Sequence, residues 1–149
     1  MNEKSQEAVN IHINGFNCAQ ATLSVFAKDF GLDKNLSLKL ATAFGAGIVQ
    51  RQEMCGAVTG SLMAIGLKYG KGVNGTNEDK LKTYDLSCLF MEEFKKQHGS
   101  LCCRELLDGL DMKNPEDAEK IKERNFSRMR CDPYIKNAVE IVEKIMNKV

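Results

Sequence analysis

The stretch IKNAVEIVEKIMNKV, residues 135–149, decides the class of fold. Its apolar residues Ile135, Ala138, Val139, Val142, Ile145, Met146 and Val149 recur at i, i+3, i+4 and i+7, with charges between them, which is the period of one helix face. The same period recurs upstream. Cys55, Val58, Leu62, Ile65 and Tyr69 form a second stripe, which Gly70 is placed to end. Leu81, Tyr84, Cys88 and Met91 form a third, on a helix predicted from about Glu78 to Gln97 and closed by His98-Gly99. Ala19, Leu23, Phe26 and Phe30 mark a fourth, stopped by Gly31. Shorter helices are expected over Glu3 to Ile13 and Leu36 to Phe44. A more polar one is expected from Pro115 to about Met129, with Asn114 as its cap. No segment alternates as a strand does, there are two prolines, and Gly70 to Gly75 is the clearest loop. A chain of 149 residues without repeats or linker predicts one domain, 1–149. The reading is an all-α, single-domain bundle of about six to eight helices.

Composition narrows the function. Basic and acidic side chains number 21 and 20, for a net charge of +1, and no basic block marks a nucleic-acid face. Met1 to Asn10 lacks the basic-then-apolar layout of a secretory signal. No apolar run reaches the ~20 residues of a membrane span. The expectation is a cytoplasmic protein with no nucleic-acid partner and no membrane span. Thiols stay mostly reduced in that compartment, so six cysteines point to metal or redox chemistry more than to a disulfide framework.

Four of the six fall at predicted helix N-termini. Cys18 follows Asn17 at one start. Cys55 follows Gln52-Glu53-Met54 at another. Cys103 opens Arg104-Glu105-Leu106-Leu107, and Cys131 precedes Asp132-Pro133, a pair suited to a first helical turn. A helix start exposes unpaired N–H groups and positive partial charge, so a thiol there ionises more easily. Four converging thiolates repel one another unless a metal core and those N–H groups compensate. Cys88, in mid-helix on an apolar stripe, reads as a small buried hydrophobe. Cys102, beside Cys103, reads as a substitute for it, a resolving thiol or a bystander. Gly56 and Gly60 follow Cys55 and have two readings: close helix packing, or approach of a bulky cofactor to the backbone. Gly45 and Gly47 fit a tight turn presenting Arg51 and Cys55, and without Gly-Lys-Ser/Thr they offer no nucleotide site. Arg51, Arg104 and Arg130 lie near candidate cysteines and are placed to lower thiol pKa values. His12 and His98 read as caps rather than ligands. Asp108, Asp111, Glu116 and Asp117 read as loop and helix-start charges.

Three chemistries remain open on the residues alone: a metal cluster held by four thiolates, reversible disulfides without metal, and a structural four-cysteine zinc module. No Cys-x-x-Cys is present, which argues against zinc ribbons, thioredoxin-like proteins and bacterial-type ferredoxins.

Asn17-Cys18-Ala19-Gln20-Ala21, Cys55-Gly56-Ala57-Val58-Thr59-Gly60, Gly99-Ser100 with Cys103-Arg104-Glu105-Leu106-Leu107, and Cys131 before Pro133-Tyr134 stand in that order. Together, from about Gly15 to Glu143, they resemble the C_GCAxxG_C_C family of redox-active proteins. The label puts glycine first in its middle element, whereas this chain reads Cys-Gly-Ala-x-x-Gly and doubles the third cysteine. The resemblance implies that Cys18, Cys55, Cys103 and Cys131 form the redox site, Cys103 being preferred to Cys102 because Arg-Glu-Leu-Leu follows it. A similar module in split-Soret-type cytochromes implies an iron–sulfur cluster, read here as [2Fe–2S], with Gly56 and Gly60 beside it and a redox partner protein. Without Cys-x-x-Cys-His the haem does not carry over. The expected activity is that of an electron-transfer protein or oxidoreductase.

Overall fold

A computed structural model describes residues 2–148. Among them are eight α-helices: α1 (Glu3–Ile13), α2 (Cys18–Ala27), α3 (Lys34–Ala41), α4 (Gly56–Tyr69), α5 (Asn77–His98), α6 (Cys103–Leu106), α7 (Pro115–Glu123) and α8 (Asp132–Lys148). Extended pairing among these residues is limited to one antiparallel bridge, Met54 with Cys102. None of the helices is long and apolar enough to cross a membrane. Polar side chains cap most of the helices. Asn17 accepts from the Gln20 N–H while the Gln20 side chain accepts from the Asn17 N–H, and Thr76 with Asp79 repeats that box at α5. Asn114 caps α7, with Pro115 in its first turn. Gly31 and Gly99 close their helices in the left-handed conformation.

Helix α2 is the centre. It packs against α4, α3, α1 and α8, and eight of its ten residues are buried. The α8 stripe behaves as its period requires: Ile135, Ala138, Val139 and Val142 are fully buried, while Val149 lies outside the described residues. Helix α5 departs from expectation. Its buried face is Leu86, Phe90 and Phe94; Leu81, Tyr84 and Cys88 are exposed. Two apolar rows run along that helix, and the row with two phenylalanines removes more apolar area from water. The polar helix ends at Glu123, short of Met129, because Asn125 turns left-handed (φ 52°). The segment expected over Leu36 to Phe44 divides into α3, capped by Asp33, and a 3₁₀ turn Thr42–Phe44.

Close approach of α4 to α2 accounts for the paired glycines. A Cβ on Gly60 would sit 2.7 Å from the Ala19 carbonyl oxygen and 3.0 Å from the Thr22 Cβ; one on Gly56 would sit 2.8 Å from the Ala19 nitrogen. Both obstacles include backbone, which side-chain rotation cannot relieve. Gly60→Ala is therefore expected to destabilise the protein by about 2 kcal/mol despite alanine's better helix propensity, since overpacking outweighs it. Urea unfolding of the variant measures this, and a midpoint equal to or above wild type would remove the packing argument.

Candidate functional site

Cys18, Cys55, Cys103 and Cys131 line one cavity of about 200 Å³ at the end of the bundle where α2 and α4 begin. Four separate segments deliver them. Cys18 is the first residue of α2, behind the Asn17 box, and Cys55 is the N-cap residue of α4. Cys103 opens α6 and is tied to the Cys55 strand by the antiparallel bridge: Cys55 N–H donates to the Leu101 carbonyl (2.8 Å) and Cys103 N–H to that of Glu53 (2.6 Å). Side chains alternate faces along extended chain. Cys102 therefore points away from the cavity, where its thiol meets the Gln52 carbonyl at 3.3 Å, and Cys103 points in.

Cys131 differs from the expected helix start. It ends a π-helical turn, Ser127–Cys131, that runs directly into α8, so no free N-terminus lies beneath it. All six cysteines are unpaired thiols. Gly56 is on the cavity wall; Gly60 is not, and helix packing alone explains it.

Burial overrides the helix-terminus effect on most of these thiols. It pushes Cys55 up to about 12, although the N–H groups of Ala57 and Val58 face the sulfur without closing a capping hydrogen bond. Cys103 is likewise raised to about 12 by burial and by the neighbouring thiols. Cys18 and Cys131 are neighbours whose titrations are linked: the Cys131 thiol, with burial, holds Cys18 high, and the Cys18 thiol pulls Cys131 down. The arginine expectation is corrected in part. Arg104 lowers Cys103 only as the last of its influences, Arg128 acts on Cys131, and Arg51 and Arg130 act on neither. Arg130 instead pairs with both carboxylate oxygens of Asp108 (3.0 and 2.7 Å), and with the Tyr134 hydroxyl it holds the Leu106 carbonyl.

These shifts predict a pH dependence for reduced, metal-free protein. Between pH 9 and about 12 the unfolded chain gives up Cys55 and Cys103 protons that the folded chain retains, so stability falls as pH rises. The slope approaches about 1.4 kcal/mol per pH unit for each thiol. Urea midpoints that stay flat between pH 8 and 10.5 would contradict it.

The walls are strained. Ala46, Gly47, Ile48, Val49 and Gln50 are consecutively left-handed, and Gln52, Asp108 and Asn125 complete the non-glycine residues of this kind among those described. Every one lies in a segment bordering the cavity. Left-handed backbone costs roughly 1–2 kcal/mol per non-glycine residue, and such strain gathers at functional sites. Gln52, fully buried, anchors this strap: its side-chain amide donates to the Leu110 carbonyl (2.8 Å) and accepts from the Met112 N–H (2.9 Å). No sequence signal pointed to Gln52 or to the left-handed run.

His12 was read as a cap, yet it lines the cavity with Nδ1 2.6 Å from Asp132 Oδ1. Its signal was present: Ser5 and Ala8 are buried on α1, and His12 continues their row at i+4. His98 packs instead between Phe94 and Tyr134, with Asn137 at its Nε2. Asp111, Glu116 and Asp117 stay outside the cavity wall, with Asn114 and Asp117 capping backbone N–H groups. Among the described residues, no three His, Cys, Asp or Glu side chains come close enough to hold a single metal ion.

A family model described as "Putative redox-active protein (C_GCAxxG_C_C)" matches residues 16–145. The chain belongs to the C_GCAxxG_C_C family. No curated protein and no solved structure matches it. The matched span holds all four cavity cysteines of this C_GCAxxG_C_C protein and begins after His12.

Proposed function

We propose that this cavity holds an iron–sulfur cluster ligated by Cys18, Cys55, Cys103 and Cys131, and that the protein exchanges electrons with a partner redox protein in the cytoplasm. One observation carries the reading: four free thiols from four segments face one cavity whose remaining wall is largely apolar, with Leu106, Leu107, Met112, Ile121 and Phe126. The donor set fits the group. Four thiolates match the two ligands that each iron of a [2Fe–2S] cluster needs, with Cys18 and Cys131 as neighbours and Cys55 and Cys103 on two segments joined by the Met54–Cys102 bridge.

Such a cluster supplies one-electron transfer at a potential set by its ligands, hydrogen bonds and burial. The chain's own groups do the rest. The α2 and α4 N-termini offer N–H groups to an anionic centre, the apolar wall limits water, and the Gln52-anchored strap fixes the Cys55 wall. The test is an ultraviolet–visible spectrum of protein purified without oxygen, with iron and acid-labile sulfide analysis. Stoichiometric iron and sulfide with a spectrum bleached by dithionite is the expected result. Protein free of iron after attempted reconstitution would overturn the reading.

The Cys18–Cys131 contact favours a second reading, a thiol–disulfide enzyme or sensor. Cys131, the thiol with the lowered pKa, would attack a partner disulfide and Cys18 would resolve the mixed disulfide. Two thiols lost per chain on oxidation of metal-free protein, regained with reductant, would favour it.

A further inference from the structure

Helix α5 carries two apolar rows, and the bundle covers one of them. The row through Leu86, Phe90 and Phe94 is buried, whereas Leu81 and Tyr84 stand 51% and 58% exposed and Cys88 is exposed beside them. Leu81, Tyr84, Cys88 and the half-buried Met91 follow one another at steps of three, four and three residues. That is the a and d spacing of a helix that packs along a second helix. None of these side chains lines the cysteine cavity. Charges flank the row on both sides. Lys80 takes the g position, its ammonium 5.7 Å from the centre of the Tyr84 ring, and Glu78, Asp85 and Glu92 take the e positions. All of these charged residues are exposed.

We propose that this outward row is the contact face of a parallel two-fold dimer, in which α5 of one chain packs along α5 of a second copy. The flanking charges select both the occupant and its direction. Parallel packing sets the g residue of one helix against the e residue five places on in the other. Lys80 then meets Asp85 of the second copy, and symmetry forms that ion pair twice. The next such pair, Ser87 with Glu92, opposes no like charges. Antiparallel packing would instead bring the acidic e row of one chain against that of the other, an arrangement that like charges disfavour. The apolar seam supplies the attraction, and Tyr84 is of the residue type that anchors protein interfaces. A two-fold axis along α5 also holds both cysteine cavities at the same height in the dimer. The inference does not depend on what those cavities hold.

The experiment is light scattering on size-fractionated protein, kept reduced, over a dilution series. Reductant prevents cross-linking through Cys88, so the mass reports the contact alone. The expected result is a mass about twice the 16.6 kDa of one chain at the concentrated end. Leu81→Glu/Tyr84→Glu, which places charges on exposed positions, should be a monomer with the circular dichroism of wild type. Lys80→Glu should weaken the dimer ~10-fold or more by setting like charges opposite each other, and Lys80→Glu/Asp85→Lys should restore it. That rescue belongs to the parallel alignment, because Lys80 and Asp85 do not face each other in the antiparallel one. Wild-type protein that stays monomeric throughout would leave the row to a different protein and overturn the proposal. A dimer that survives Leu81→Glu/Tyr84→Glu would also overturn it, and a charge exchange that fails to restore association would overturn the parallel pairing.

Discussion

Cys55→Ser protein, purified without oxygen, is expected to retain iron and sulfide at least ~10-fold more weakly than wild type, while Cys102→Ser retains them fully. The contrast follows from the bridge. Cys55 is buried on the cavity wall, fixed by its own N–H bond to Leu101 and by its place at the start of α4. A serine hydroxyl there keeps the shape but gives up a soft thiolate for a group that hardly ionises. Cys102 is on the opposite face of the same extended segment, against the Gln52 carbonyl. Iron and sulfide per chain decide the matter. Equal loss in both variants would mean that general folding and not ligation is being read, and no loss in Cys55→Ser would remove that residue from the site.

Gln52→Ala is expected to cost about 3 kcal/mol, since it strands the half-buried Leu110 carbonyl and Met112 N–H together and empties a fully buried side-chain position. Those two bonds join the left-handed strap to the loop carrying Leu107 and Met112, which form the facing wall. The strap's left-handed residues disfavour its conformation, and beyond its own backbone bonds the Gln52 amide is what ties it to the facing loop. Hydrogen exchange should rise over residues 46–52 and 110–112 more than over α4 or α8. Unchanged exchange and an unchanged melting temperature would show that the strap does not depend on Gln52.

Helices were legible because their signals are local. The α8 period, the Asn114 cap and the closing glycines Gly31 and Gly99 act within one or two turns, and each stands where the sequence places it. On α5 the period was right and the buried face wrong, because two apolar rows compete and only the neighbours, α4 and α8, choose between them. The four cysteines were expected at helix starts, a position that Cys18, Cys55 and Cys103 occupy and Cys131 does not, yet all four reach one end of the bundle. Their acidity was not legible, since it depends on the whole cavity: the neighbouring Cys131 thiol and then burial raise Cys18, and burial raises Cys55 and Cys103, against the expected direction. Gly45 and Gly47 were placed in a tight turn; that Ile48 and Val49 are both left-handed contradicts their own preference, and bonds from Val49 to the Ala43 carbonyl and from Arg51 to the Ile48 carbonyl hold them there.

The Met54–Cys102 bridge also bears on how the chain tolerates error. Shifting extended pairing by one residue exchanges the faces of every side chain in it. Most binding walls would lose their donor by such a slip. Here the residue that rotates inward when Cys103 rotates out is another cysteine, so the ribbon offers a sulfur to the cavity in either alignment. The doubled cysteine thereby makes the wall's chemistry independent of which neighbour the folding chain happens to pair first.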